Sequence, residues 1–199
     1  CPICDDRRDY DKSDTKGYRG VREEDIKLYE KAESRWENSP DLHGYVPEEP
    51  IPEGHMTSDR NPLFDHGYEH WEDMFSARQL LCFGLFLKEV EEITDKNIRE
   101  FLLLTFTDSL CRNSMMCAYS ETANQINHLF KTNAFDPPTQ PTESNFWGAE
   151  YGTGTFQSTW NKTIRGVRWA NAPTDRYIQY PDHDDYPDIP VNPDLDEPE

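Results

Sequence analysis

The first motif with chemistry in it is Cys1-Pro-Ile-Cys4. Two thiolates two residues apart can hold one side of a tetrahedral zinc ion from a tight turn. Four ligands are needed, and no second pair of this spacing follows. His43, His55, His66 and His70 are scattered downstream with no regular interval. The pair reads either as half of a zinc site or as an orphaned pair, free or oxidised. A second group is cationic. Arg78 and Gln79 follow Trp71 and Phe75, and their donors could reach phosphate or base edges. The local alternative is that Gln79 caps a helix and Arg78 pairs with a nearby carboxylate such as Asp73. Lys162, Arg165, Arg168 and Trp169 make a basic-aromatic cluster. It suits a nucleic-acid backbone, or an internal salt-bridge patch in a chain this acidic.

Other motifs are weaker. Gly152-Thr-Gly154-Thr155 has the composition of a glycine-rich cofactor loop, but no apolar strand precedes it. It reads as a turn and a helix cap. Asn161-Lys-Thr163 fits a glycosylation sequon in a chain with no secretion signal. Asp136-Pro-Pro-Thr139 resembles the Asp-Pro-Pro-Tyr loop of amino-methyltransferases, in which a stacking aromatic clamps a flipped base. Thr139 stands where the aromatic belongs, and residues 131–135 do not read as a buried strand. The segment is a helix terminator on this reading. Ser-His-Asp sets, His-Glu-x-x-His and Walker loops are missing, so the chain assembles no active site by itself.

The elements that must position these groups are mostly helical. Residues 23–36 carry Ile26, Leu28, Tyr29, Ala32 and Trp36 at partly helical spacing. Residues 39–61, with Pro40, Pro47, Pro50, Pro52 and Gly54, read as an extended connector. Ser76 and Gln79 predict a capping box that opens a helix ending near Ile93. Thr94 or Asp95 caps a second helix, with Ile98, Phe101, Leu102, Leu104, Thr105, Leu110 and Met115 on its inner face. So short a link predicts an antiparallel hairpin. A third helix is expected over residues 121–131, with Ile126, Leu129 and Phe130 inward. A fourth is expected over 156–164, and a short strand over 167–169. The fold class is therefore mainly α: a helical hairpin core with long irregular, Pro-rich flanks and little β. Residues 1–60 read as an appendage (knuckle remnant, one helix, connector), 61–173 as the helical domain and 174–199 as an acidic tail. That tail has nine acidic residues, one Arg and five Pro, too little apolar surface to order itself unaided.

Composition sets outer limits. The 199 residues hold 39 acidic and 20 basic side chains, a formal charge of −19. Such a chain is a poor phosphate binder on its own, because Lys and Arg supply most nucleic-acid affinity. Only 8 of the 20 cations are Lys, which also suits a halophilic source. The longest apolar run, residues 80–87, is far short of the roughly 20 residues of a membrane span. Five cysteines with no secretion signal point to a reducing cytoplasm.

In order along the chain come Cys-Pro-x-Cys, a Pro-rich connector with Ile51-Pro52, Gly67-Tyr68, and Trp71-Glu-Asp-Met-Phe-Ser-Ala-Arg-Gln-Leu-Leu81. A helix hairpin and Gly154-Thr155-Phe156 follow. This order resembles the middle region of the large zinc-ribbon-containing adenine-specific DNA methylases. The specific part is Met74-Phe75-Ser76-Ala77-Arg78-Gln79-Leu80-Leu81, which is similar to a signature that opens a helical insert in that family. The resemblance implies an S-adenosylmethionine loop upstream and a catalytic Asp-Pro-Pro-Tyr loop downstream. The chain would then be a non-catalytic insert that braces the catalytic domain or positions DNA. Its partners would be the rest of the methyltransferase polypeptide and DNA, with no membrane. Arg78, Gln79, Lys162, Arg165, Arg168 and Trp169 are the DNA-contact candidates, and Cys1 and Cys4 the metal candidates. Two rivals stand beside it: an acidic helical module that binds a basic protein, and a small independent enzyme that uses Asp136.

Overall fold

A computed structural model describes residues 20–59, 63–120, 125–131, 135–148 and 153–173. The fold is mainly α. Its helices are α1 (Glu23–Glu37), the single turn α2 (Pro40–His43), α3 (Ala77–Glu91), α4 (Lys96–Leu110) and α5 (Phe156–Asn171). The strands β1 (Tyr119–Ser120) and β2 (Gln125–Ile126) form one antiparallel pair. The described residues fall into two units that divide between Trp160 and Asn161.

Helix α3 is the hub of the first unit. Leu80, Leu81, Phe83, Phe86 and Val90 are all buried, so the helix is apolar around most of its circumference. A helix of that kind must be enclosed by its neighbours. One side packs on α4, the loop before α5 and the first residue of α5: Phe83, Phe86 and Val90 meet Phe106, Phe146 and Phe156. The rings meet mostly edge to face, with Phe83–Phe106 at 5.5 Å and Phe83–Phe146 at 5.0 Å. Such pairs add about 0.5–1.5 kcal/mol each beyond the area they bury. The other side takes Trp36 of α1, Leu42 of α2 and Val46 against Leu80 and Leu81. Gly84 permits this approach, since a Cβ there would lie 2.9 Å from the Leu42 Cβ and 3.3 Å from the Leu42 carbonyl oxygen. Lys88 pairs with Asp41 at 2.6 Å and Tyr45 donates to Glu91, which fastens the rim of the same seam.

A third cluster joins Ile51, Leu63, Met74 and Met116. Its backbone is zipped where the Ile51 N–H donates to the Glu69 carbonyl and the Trp71 N–H to the Glu49 carbonyl. The turn after α4 is tied to the start of α3: the Ser114 hydroxyl and the Met115 N–H both donate to the Met74 carbonyl.

Several sequence expectations change. Residues 20–51 are not an appendage, because Trp36, Leu42, Val46 and Ile51 are core. The connector holds a helical turn at Pro40–His43 and a π-helical turn at His55–Asp59. Asp95, not Thr94, caps α4, accepting from the Asn97 and Ile98 N–H groups. The inward face of α4 is Thr105, Phe106 and Ser109; Ile98, Phe101 and Leu104 are 51%, 40% and 63% exposed. Helix α4 stops at Leu110, so Met115 lies beyond it. Apolar spacing misplaced the stripe because two adjacent apolar faces of α4 compete and only one meets α3. The third helix over 121–131 is absent from the described part of that segment, where Gln125–Ile126 is strand and Phe130 is 44% exposed. Residues 167–169 are helical, since α5 runs unbroken to Asn171.

Candidate nucleic-acid interface

The Arg78–Gln79 pair sits at the first turn of α3, where Ser76 caps the helix. The Ser76 N–H donates to Gln79 Oε1 at 3.0 Å, and the Gln79 N–H donates to Ser76 Oγ at 3.3 Å. This is a reciprocal capping box, in which two otherwise orphaned donors are satisfied. Gln79 is 1% exposed, so it cannot read a base edge from the surface. Its Nε2 is buried with no partner. Arg78 turns the other way. Its Nε and Nη2 donate to the two carboxylate oxygens of Glu143 at 2.8 and 2.9 Å. The fork geometry matches guanidinium to carboxylate, and both side chains are largely covered, at 26% and 11% exposed. The guanidinium also lies 5.1 Å from the centre of the Tyr29 ring.

The electrostatics of this node follow from that pairing. The Glu143 hydrogen bond holds the Arg78 guanidinium even more firmly protonated. Burial, then Glu33, raises the Tyr29 hydroxyl. Burial, then Glu143, raises the neighbouring Cys82 thiol, so it stays protonated and unreactive. An open cleft of about 290 Å³ lies here, lined by Asp25, Arg78, Cys82, Glu143 and Phe146 among others. Asp73 plays no part in pairing Arg78. It accepts instead from the Glu69 and His70 N–H groups at 2.8 and 2.7 Å. Glu143 and Tyr29 are the residues that sequence reasoning missed. They lie 65 and 49 positions from Arg78 with no shared motif, so no local pattern could have revealed them.

The second candidate group sits on α5. Gly154, at φ +79°, packs on the Arg112 side chain, and its carbonyl accepts from Asn113 Nδ2 at 2.8 Å. Thr155 then caps the helix: its Oγ1 accepts from the Ser158 N–H at 3.3 Å and its carbonyl from the Thr159 N–H at 3.0 Å. The described part of the glycine-threonine segment is thus a turn and a cap. Phe156 and Thr159 are buried. From Asn161 onward only Thr163 and Ile164 are half-buried, and Lys162, Arg165, Arg168 and Trp169 are all exposed. Helical spacing puts Lys162, Arg165 and Trp169 on one stripe with Arg168 beside it. Trp160, Ile164 and Val167 form a different stripe. No acidic residue occurs anywhere in residues 153–173.

The remaining candidates stay apart from these two groups. Asp136 and Thr139 are exposed in a proline-bearing loop, and neither lines the cleft. Phe135 before them packs on Trp71, ring centres 5.6 Å apart. Asn161 and Thr163 of the sequon are part of α5. Cys1, Cys4 and Gly152 lie outside the described residues, as does the segment 174–199. Among the described residues no group of three or more His, Cys, Asp or Glu side chains could hold a metal. No helix among them is long and apolar enough to cross a membrane.

No family model matches the chain, and no curated protein or solved structure is significantly similar to it.

Proposed function

We propose that this chain is a non-catalytic helical insert of an S-adenosylmethionine-dependent DNA adenine methyltransferase. It braces the parent enzyme and offers DNA the exposed face of α5. The supporting observation is how the signature segment 74–81 is used. Ser76 and Gln79 build the capping box of the hub helix, and Arg78 ties that helix to Glu143. A signature consumed by architecture suits a brace. Of the cations singled out in the sequence, Lys162, Arg165 and Arg168 are exposed, in a stretch free of acids. Exposed cations of this kind contact phosphates and set orientation on the duplex. The parent polypeptide would supply S-adenosylmethionine and the catalytic loop, and Cys1 and Cys4 would supply two of four zinc ligands. A reaction on DNA and free thiols both suit the cytoplasm.

The test is a DNA titration of the whole enzyme. Arg165→Ala with Arg168→Ala is expected to weaken DNA binding and flatten the salt dependence by about 0.9 per lost phosphate contact. Arg78→Ala is expected to leave the salt slope unchanged. An unchanged slope in the α5 variant, or no adenine methylation by the whole enzyme, would overturn the proposal. A second reading, an acidic protein-interaction module, is favoured by the apolar side chains that α4 leaves in solvent, Leu104 and Ile98 foremost.

A further inference from the structure

We infer that the cleft beside the first turn of α3 binds a small uncharged carboxamide, whose carbonyl oxygen accepts from Gln79 Nε2 and whose N–H donates to Ser144. This goes beyond the DNA-facing reading and does not depend on it. Three observations carry it.

First, an orphaned donor. Gln79 is 1% exposed, and its Oε1 accepts from the Ser76 N–H at 3.0 Å. That bond fixes which arm of the amide is oxygen and which is nitrogen. The nitrogen arm, Nε2, is buried and has no hydrogen-bond partner among the described residues. Native folds leave few buried donors in that condition, and each calls for an acceptor. Second, room. Gln79 lines a cleft of about 290 Å³. One bridging water takes up roughly 30 Å³, so the space suits a larger molecule, and ligand sites begin near about 300 Å³. Third, the charged groups of the lining are already engaged. Both oxygens of Glu143 accept from Arg78, at 2.8 and 2.9 Å. Asp25 accepts from the Arg22 N–H at 2.9 Å. With Asp25 and Glu143 against Arg78, the lining has two negative charges and one positive.

An anion would meet that net negative charge, and a cation would find both carboxylates occupied. A neutral carbonyl answers the orphaned donor at no electrostatic cost. Ser144, 6% exposed, lies on the same lining, and its hydroxyl can accept the ligand's N–H. Phe146 gives the cleft an apolar wall for the rest of the molecule. The terminal torsion of a glutamine is soft, so a small rotation brings the N–H2 to the ligand without breaking the Ser76 bond.

The experiment is a proton–nitrogen correlation NMR titration of the full chain with benzamide, benzoate and benzylammonium. The three probes share a ring and differ in the head group: neutral acceptor, anion and cation. Benzamide should bind with a Kd of about 1 mM, as a ligand of its size allows, and move the Gln79 side-chain amide protons downfield. The other two should bind at least about tenfold more weakly. Gln79→Glu keeps an oxygen for the Ser76 N–H and so keeps the cap, but it replaces the orphaned donor with an acceptor. It should weaken benzamide binding at least about tenfold, and the signal it removes identifies the Gln79 amide. Ser144→Ala leaves the cap untouched and should weaken benzamide about two- to tenfold. If Gln79→Glu does not fold, the wild-type shift and Ser144→Ala decide. The proposal is wrong if benzamide leaves the Gln79 amide protons in place, if benzoate or benzylammonium binds as tightly, or if either folded variant binds benzamide as the wild type does. None of these outcomes involves α5, so the DNA-facing reading is judged separately by its own titration.

Discussion

Arg78 and Arg168 begin alike and end differently. Each is an arginine beside an aromatic and near other donors, and each could serve a phosphate. Arg78 lies where the fold delivers a carboxylate: Glu143 accepts both arms of its guanidinium, and Tyr29 covers it. Arg168 lies on a helix with no acid within it. The first cation is consumed as a strut and the second stays in solvent. A basic residue in an acidic protein is thus available to a partner only where the chain withholds its own carboxylates. The largest positive feature by sequence proximity to the signature is therefore not the best binding candidate.

The contrast predicts a stability effect on one side and none on the other. The largest effect should come from the hub of the first unit. Phe86→Ala removes a buried ring in contact with Phe106, Phe146, Trp147 and Phe156. It should cost about 3–5 kcal/mol, measured by chemical denaturation. Arg78→Ala strands the largely covered Glu143 carboxylate, and should cost about 1–3 kcal/mol. The double variant with Glu143→Gln should recover part of that, and no recovery would mean that the pair is not the strut described here. Gly84→Ala should cost about 1–3 kcal/mol by forcing α2 away from α3. At the small end, Arg165→Ala with Arg168→Ala should change stability by less than about 0.5 kcal/mol. A larger loss would show that these two arginines support the fold.

One pH dependence follows from Cys117, which is fully buried. Burial pushes its thiol up to about 11 from the ordinary 9.0, with the Ser114 backbone hydrogen bond pulling the other way. The folded state therefore keeps a proton that the unfolded chain loses first. The stabilisation is complete below about pH 9 and falls away as pH rises toward 11. Denaturation midpoints across that window should decline in the wild type and less steeply in Cys117→Ala. Equal slopes would mean that the thiol does not titrate as its burial requires.

Local patterns were legible and distant ones were not. The capping box of Ser76 and Gln79 could be read directly, since its two partners are three residues apart and the chemistry is local. The helical spacing of residues 23–36 announced α1, but not that Trp36 would lie against α3. The expected third helix failed for a related reason: Ile126, Leu129 and Phe130 have helical spacing, yet the backbone there is held by a distant partner. Leu129 N–H donates to the Cys111 carbonyl, and Asn127 N–H to that of Ala118. On α4, Ile98, Phe101 and Leu104 were assigned inward because sequence shows how apolar a face is but not which face finds a partner.

The sequence by itself determined the helical class, the capping box that starts α3, the charge of −19 and the acid-free stretch 153–173. Those depend on residue type and short-range spacing. Only the tertiary structure decided that Arg78 is paired and that Gln79 is buried. Those depend on which residues, 49 and 65 positions away, are brought within hydrogen-bond or ring-contact distance of Arg78. Chain closure selects such contacts by packing, and packing has no period that can be read along a sequence.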